Sequence, residues 1–165
     1  MNLIEAITNN LVRLDDELAN QKPSLKTADN SISAKQLRDM YKEFIERFIN
    51  IGEVETSVLI HSVALAKKVV KIAKTDYTFK KGEFVLLYSA CVYLSIKMLI
   101  DEERWFMADF AYVSNLEEAH VEKMEQFVLI DILNFNAKIS DEDFIKEKLA
   151  LQQSSTVPKK RLTVV

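Results

Sequence analysis

Glycine and proline are nearly missing from this chain: 165 residues contain two of each. Strand-rich folds turn often, and their turns need those residues, so a β-sandwich or barrel is excluded and helices are expected from end to end. Cysteine occurs once, as Cys91, inside an apolar segment. A lone thiol closes no internal disulfide, which points to a reducing, intracellular setting, cytoplasmic or nuclear, and Cys91 reads as a small core residue. Neither sign of charge dominates, with 22 Lys and Arg against 25 Asp and Glu. The formal net charge of -3 argues against a dedicated nucleic-acid binder, which presents a basic face. No long hydrophobic run exists. Residues 84–96 carry no charge, but Lys97 interrupts them, well short of the roughly 20 residues of a membrane span. The start Met1-Asn2-Leu3-Ile4-Glu5 has no basic region, so no secretory leader is expected.

Catalytic signatures are equally scarce. No glycine-rich phosphate loop is present, and the two histidines, His61 and His120, fall in helical patterns without a nucleophile set. Glu117 and His120 have the Glu-x-x-His spacing of di-iron bundles, which need a second copy on another helix, and His61 has no such glutamate. No metal, cofactor or small-molecule substrate is expected, and the chain is not expected to be an enzyme.

What is present is helical periodicity. Leu3, Ile7, Leu11, Leu14 and Leu18 recur at three and four and predict a first helix over 3–18. Residues 21–31, with Pro23, read as a loop. Ser33 and Gln36 form a capping-box pattern opening a helix that carries Leu37, Met40, Tyr41, Phe44, Ile45 and Phe48 and stops at Gly52. A third helix covers about 53–75. Gly82 precedes a fourth, 84–100, apolar all round and dotted with Ser89, Ala90 and Ser95, small residues that let neighbours approach; it belongs at the centre. A short helix with Trp105, Phe106, Phe110 and Tyr112 follows. Asn115 with Glu118 suggests a cap for a helix through Val121, Met124, Phe127, Val128, Ile132 and Leu133. Ser140 with Asp143 suggests a cap for a last helix to about Leu151, leaving 152–165 as a loose tail.

The run Leu86-Leu87-Tyr88-Ser89-Ala90-Cys91-Val92-Tyr93-Leu94-Ser95-Ile96-Lys97 resembles the central helix of a cyclin box. Asp109-Phe110-Ala111-Tyr112-Val113-Ser114-Asn115 resembles the segment that follows it in mitotic cyclins. Met124-Glu125-Gln126 with Leu133-Asn134-Phe135 resembles the final helix and its exit, and Glu55-Thr56 stands where cyclins often carry Glu-Thr. Together these cover about residues 35–138. Departures are visible too. Ala66-Lys67 replaces an Asp-Arg pair, Tyr41 replaces a tryptophan, and the stretch matching the Met-Arg-Ala-Ile-Leu docking patch, 34–38, is mostly polar. Trp105 is closer to the arrangement of cyclin Y-like proteins, and too few residues follow Ala137 for a second box.

The resemblance implies an all-α fold: residues 1–32 an N-terminal helix and linker, 33–139 a five-helix cyclin box, 140–165 a C-terminal helix and tail. It implies a regulatory subunit that binds and activates a cyclin-dependent protein kinase, with catalysis on the partner. Lys97 would hydrogen-bond kinase backbone carbonyls, and a glutamate on the last box helix would share the site. Counting back from Leu133 and Phe135 puts Gln126 at that position and Glu125 one residue early. Either a one-residue bulge brings Glu125 into place, the preferred reading, or Gln126 takes the role. Met98, Leu99 and Phe135 would supply apolar contact. The alternative is a cyclin-fold adaptor that binds peptide or transcription machinery without a kinase. Pro158-Lys159-Lys160-Arg161-Leu162 reads as a solvated basic tail, a nuclear signal or a docking motif.

Overall fold

The structure, a computed structural model, describes residues 2–19, 32–100 and 107–163, without the side chains of 154–163. It is all-α, with no strand among the described residues. The helices are α1 (Leu3–Ala19), α2 (Ala34–Asn50), α3 (Thr56–Asp76), α4 (Phe84–Leu99), α5 (Met107–Ser114), α6 (Glu118–Gln126), which passes directly into a π-helical segment (Phe127–Ile132), and α7 (Asp141–Thr163). The predicted loop at 21–31 and the residues Trp105 and Phe106 lie outside the described residues.

The centre is α4. Ten consecutive residues, from Leu87 to Ile96, are buried, so neighbours must surround it. Helices α3 and α6 pack along it, while α2 holds α5. Ser89 and Ser95 cost little inside this core because each hydroxyl is satisfied: Ser89 donates to the Leu86 carbonyl, and Ser95 pairs with His61 Nδ1 at 2.7 Å. His61 is thereby a core histidine, and burial lowers its basicity.

An unbroken series of ring contacts ties α2, α4 and α5 together. It runs from Tyr41 through Phe84, Tyr88, Phe44, Phe48 and Phe110 to Tyr93, with centroids 4.8–6.2 Å apart. Tilted and edge-on ring pairs of this kind add to the stabilisation from burial alone.

The terminal helices are part of the same body. Helix α1 lies on α2, α3 and α7, and α7 lies across α1 and α3. A buried link between α1 and the rest is an acid, Asp15. Tyr41 Oη donates to its carboxylate at 2.6 Å, and the Gly82 amide donates at 3.0 Å. Gly82 can aim its N–H there because it holds φ at +96°, a conformation side chains rarely adopt. Burial pushes the Asp15 carboxyl above its ordinary pKa, against the opposing pull of these two donors.

Several boundaries differ from the sequence reading. Helix α2 stops at Asn50, but the left-handed residue after it is Glu53 (φ 52°) rather than Gly52. Asn115 does not cap α6. It takes φ 61° and ends α5, a role its short polar side chain tolerates, and Glu117 stands at the N-cap without a side-chain bond. The last helix continues to Thr163 instead of ending near Leu151. No glycine follows Leu151, and Pro158 removes only one bond from the ladder. Two expected caps are present: the reciprocal Ser33–Gln36 box and the Ser140 hydroxyl accepting from the Asp143 amide.

Leu151 is fully buried where α7 docks. Leu151→Ala should cost about 2–4 kcal/mol, read as a loss of denaturation midpoint; a neutral result would show that α7 is not part of the core. Asp15 gives a pH-dependent expectation. With its folded pKa raised, its contribution is fully present below the unfolded value near 3.8 and is lost as pH rises through the raised value. Relative to Asp15→Asn, the wild type should therefore lose stability on going from about pH 3 to 7, in paired chemical-denaturation series.

Candidate functional site

Lys97 follows the last fully buried residue of α4. Its side chain is 50% exposed while that of its partner Glu125, on α6, is only 13% exposed. Lys97 Nζ lies 2.6 Å from Glu125 Oε2 and 4.8 Å from the centre of the Tyr93 ring. Tyr93 and Lys97 are four apart on one helix, which stacks the ammonium above the ring. Phe110 braces that ring at 4.8 Å, so the plate beneath Lys97 is the last member of the aromatic series. Burial raises the Tyr93 pKa; Lys97 opposes that and Glu125 adds to it.

An ammonium has three donors. One is used on Glu125, and half of the side chain remains open to solvent. The group is thus oriented by a carboxylate and a ring while keeping donors for an acceptor brought from outside. Met98 and Leu99, the next two residues, are exposed at 44% and 46%, which sets apolar surface beside the oriented charge.

Glu125 reaches Lys97, and Gln126 is exposed. The π-helical segment Phe127–Ile132 begins directly after Gln126. A π-turn adds one residue to a helix. It falls between Glu125 and Leu133, the interval in which the sequence count comes out one residue long. With that extra residue absorbed, Val128, Ile132 and Leu133 are buried in the core while Glu125 still faces α4.

Phe135 is placed differently. It lies beyond the π-segment, in the turn where the helix ends, whereas Lys97 and Glu125 are paired, with Met98 and Leu99 next to Lys97 in the chain. Asn134 and Phe135 both take positive φ, 48° and 64°. For a bulky residue this is strained, by about 1–3 kcal/mol. The Phe135 amide bonds back to the Leu129 carbonyl at 2.7 Å, and Lys68 Nζ holds the carbonyls of Asn136 and Lys138. The ring projects at 68% exposure.

Three further features were not read from the sequence. Arg47 of α2 donates to the carbonyls of Val113 and Tyr112, tying the end of α5 to α2 and thereby seating Phe110. Arg38, in the stretch matched to a docking patch, is engaged by Glu5 and Asn9 of α1. Lys67, the basic residue left at the Asp-Arg position, pairs with the buried Glu147 of α7 at 2.8 Å. Among the described residues no cluster of metal-ligating side chains occurs, and no helix is long and apolar enough to cross a membrane. Cys91 is fully buried, which pushes its thiol pKa well up and leaves it inert. No family model and no curated protein matches the chain.

A half-exposed ion pair contributes little to folding, about 1 kcal/mol or less. Lys97→Ala and Glu125→Ala should each leave the melting temperature within a few degrees of wild type. A collapse of either variant would mark the pair as structural.

Proposed function

We propose that this chain is a cyclin-like regulatory subunit that binds and activates a cyclin-dependent protein kinase. The observation that carries the reading is the Lys97–Glu125 pair at the exposed end of a central helix buried from Leu87 to Ile96. Its geometry fits the role that the sequence resemblance implies for these two residues. The five helices α2–α6 around α4 suit a single cyclin box, with α1 and α7 packed outside it.

The mechanism is conformational. The subunit supplies an oriented ammonium to backbone carbonyls beside the kinase's mobile regulatory helix. Met98 and Leu99 supply apolar contact around it, and the strained, exposed Phe135 offers a second apolar anchor further along. A ligand shifts a two-state equilibrium by its preference for one state. Binding only the inward position of the regulatory helix completes the kinase's Lys–Glu pair and frees its activation loop. ATP site and catalytic groups all belong to the kinase.

The test begins with affinity purification of the chain from its own cells and mass spectrometry of what it retains. A kinase catalytic subunit at one-to-one ratio supports the reading. Recovery of other proteins without any kinase sinks it and favours the adaptor alternative. With the kinase in hand, Lys97→Ala removes a charge-assisted bond from a desolvated interface, worth roughly 2–5 kcal/mol. Binding should weaken well over tenfold at about 1.4 kcal/mol per decade. The Glu125→Ala change added to it should be less than additive, since both serve one contact.

A further inference from the structure

The chain is acidic as a whole, yet one face is not. Six cations from three helices gather where α1, α3 and α7 meet: Arg13, Lys67, Lys68, Lys71, Lys74 and Lys146. They line two adjoining recesses of about 480 and 360 Å³ that share Lys67 and Lys71 and so form one elongated groove. Helical spacing explains the row on α3, because positions 67, 71 and 74 fall on one face.

The groove's acids are three, and two of them are committed. Glu147 holds Lys67 at 2.8 Å, and Glu17 holds Lys74 at 2.7 Å. Lys68 is turned to the backbone carbonyls of Asn136 and Lys138. Asp143, exposed, is the third. Arg13, Lys71 and Lys146 are exposed and make no ion pair or hydrogen bond to a described residue. The paired lysines shape the walls, and Arg13, Lys71 and Lys146, unpaired among the described residues, leave cations in excess over the three acids of the recess.

We propose that this groove binds a phosphate-bearing acidic peptide segment of a partner protein. A single free anion would fill little of the joined recesses, whereas an extended chain spans both, from Lys146 across Lys71 to Arg13. A phosphate carries nearly two negative charges and three acceptor oxygens. Arg13 offers it a planar fork and Lys71 a mobile point charge. An anionic bilayer fits less well. The groove is recessed, and α7 opens with Asp141, Glu142 and Asp143, which a negative surface repels. The surface is separate from Lys97: it lies on α1, α3 and α7, and the inference stands whether or not the partner at Lys97 is a kinase.

The test is fluorescence anisotropy on the full chain. The probe is a labelled peptide with one phosphoserine followed by glutamates, alongside its unphosphorylated twin, inorganic phosphate as competitor, and phosphatidylserine vesicles in a sedimentation arm. Expected is binding of the phosphopeptide, at least fivefold weaker for the twin and weakening as salt rises. Lys71→Glu and Arg13→Glu, both at exposed positions, should each lower affinity at least fivefold with the melting temperature unchanged. Lys97→Ala should leave it unaltered, which separates this site from the one proposed above. Absence of phosphopeptide binding, equal binding by the charge-reversed variants, or binding of vesicles in its place would overturn the proposal.

Discussion

Helix α4 is the constraint from which the other features follow. Residues 84–96 carry no charge, and over 87–96 water is excluded from every face, so the chain must wrap other helices around it. The first charge, Lys97, marks where α4 can meet solvent again. A cation in the last turn of a helix also faces the negative end of its dipole. The same boundary that ends burial therefore creates a fixed, half-exposed ammonium. Its orientation is inherited from the core, through Tyr93 and Phe110 below it and Glu125 beside it.

The aromatic series gives this arrangement reach. One end is Tyr41, whose hydroxyl is bound to Asp15 of α1; the other is Tyr93, beneath Lys97. Close-packed interiors transmit displacement poorly as bending and better as repacking. The seating of α1 is in this way joined by contiguous contacts to the plate under the proposed contact residue. Helix α1 does more than flank the other helices: it supplies the acid to which Tyr41 and Gly82 both donate.

Much of this was legible in the sequence because it depends on local order. Helix existence followed from the three-and-four spacing of apolar residues, and the Ser33 cap from a four-residue pattern. Lys97 stood out because charge interrupts an apolar run. Glu125 or Gln126 was named near Lys97 only through a resemblance; the structure pairs Glu125 with Lys97 and begins a π-helical segment after Gln126. What was not legible depends on distant partners. Asp15 sits among the apolar stripe residues Leu14 and Leu18, and nothing local says that a tyrosine 26 residues away will bury it. Glu147 looks like any surface glutamate until Lys67 arrives from α3. Helix α7 lost its true length because Ser, Thr and Pro near its end read as breakers, whereas Leu151 anchors it.

The distribution of ion pairs separates fold from function. Glu147 is almost fully buried beside a lysine that is 40% exposed, and Glu125 is 13% exposed beside one that is 50% exposed. In both, the carboxylate is the buried member and the cation faces out. For the nearly buried Glu147, removing Lys67 would leave a carboxylate without its counter-charge, whereas the Lys97–Glu125 pair, open to water, contributes less. The cation loses less, because water serves its remaining donors. Each pair thus holds a positive charge at a defined point of the surface. Long flexible lysines spend entropy when they bind, and pinning them beforehand lowers that cost. The core of this protein is built from apolar burial; of its inward-facing carboxylates, Asp15 ties α1 to Tyr41 and Gly82, while Glu147 and Glu125 each fix a lysine at the surface.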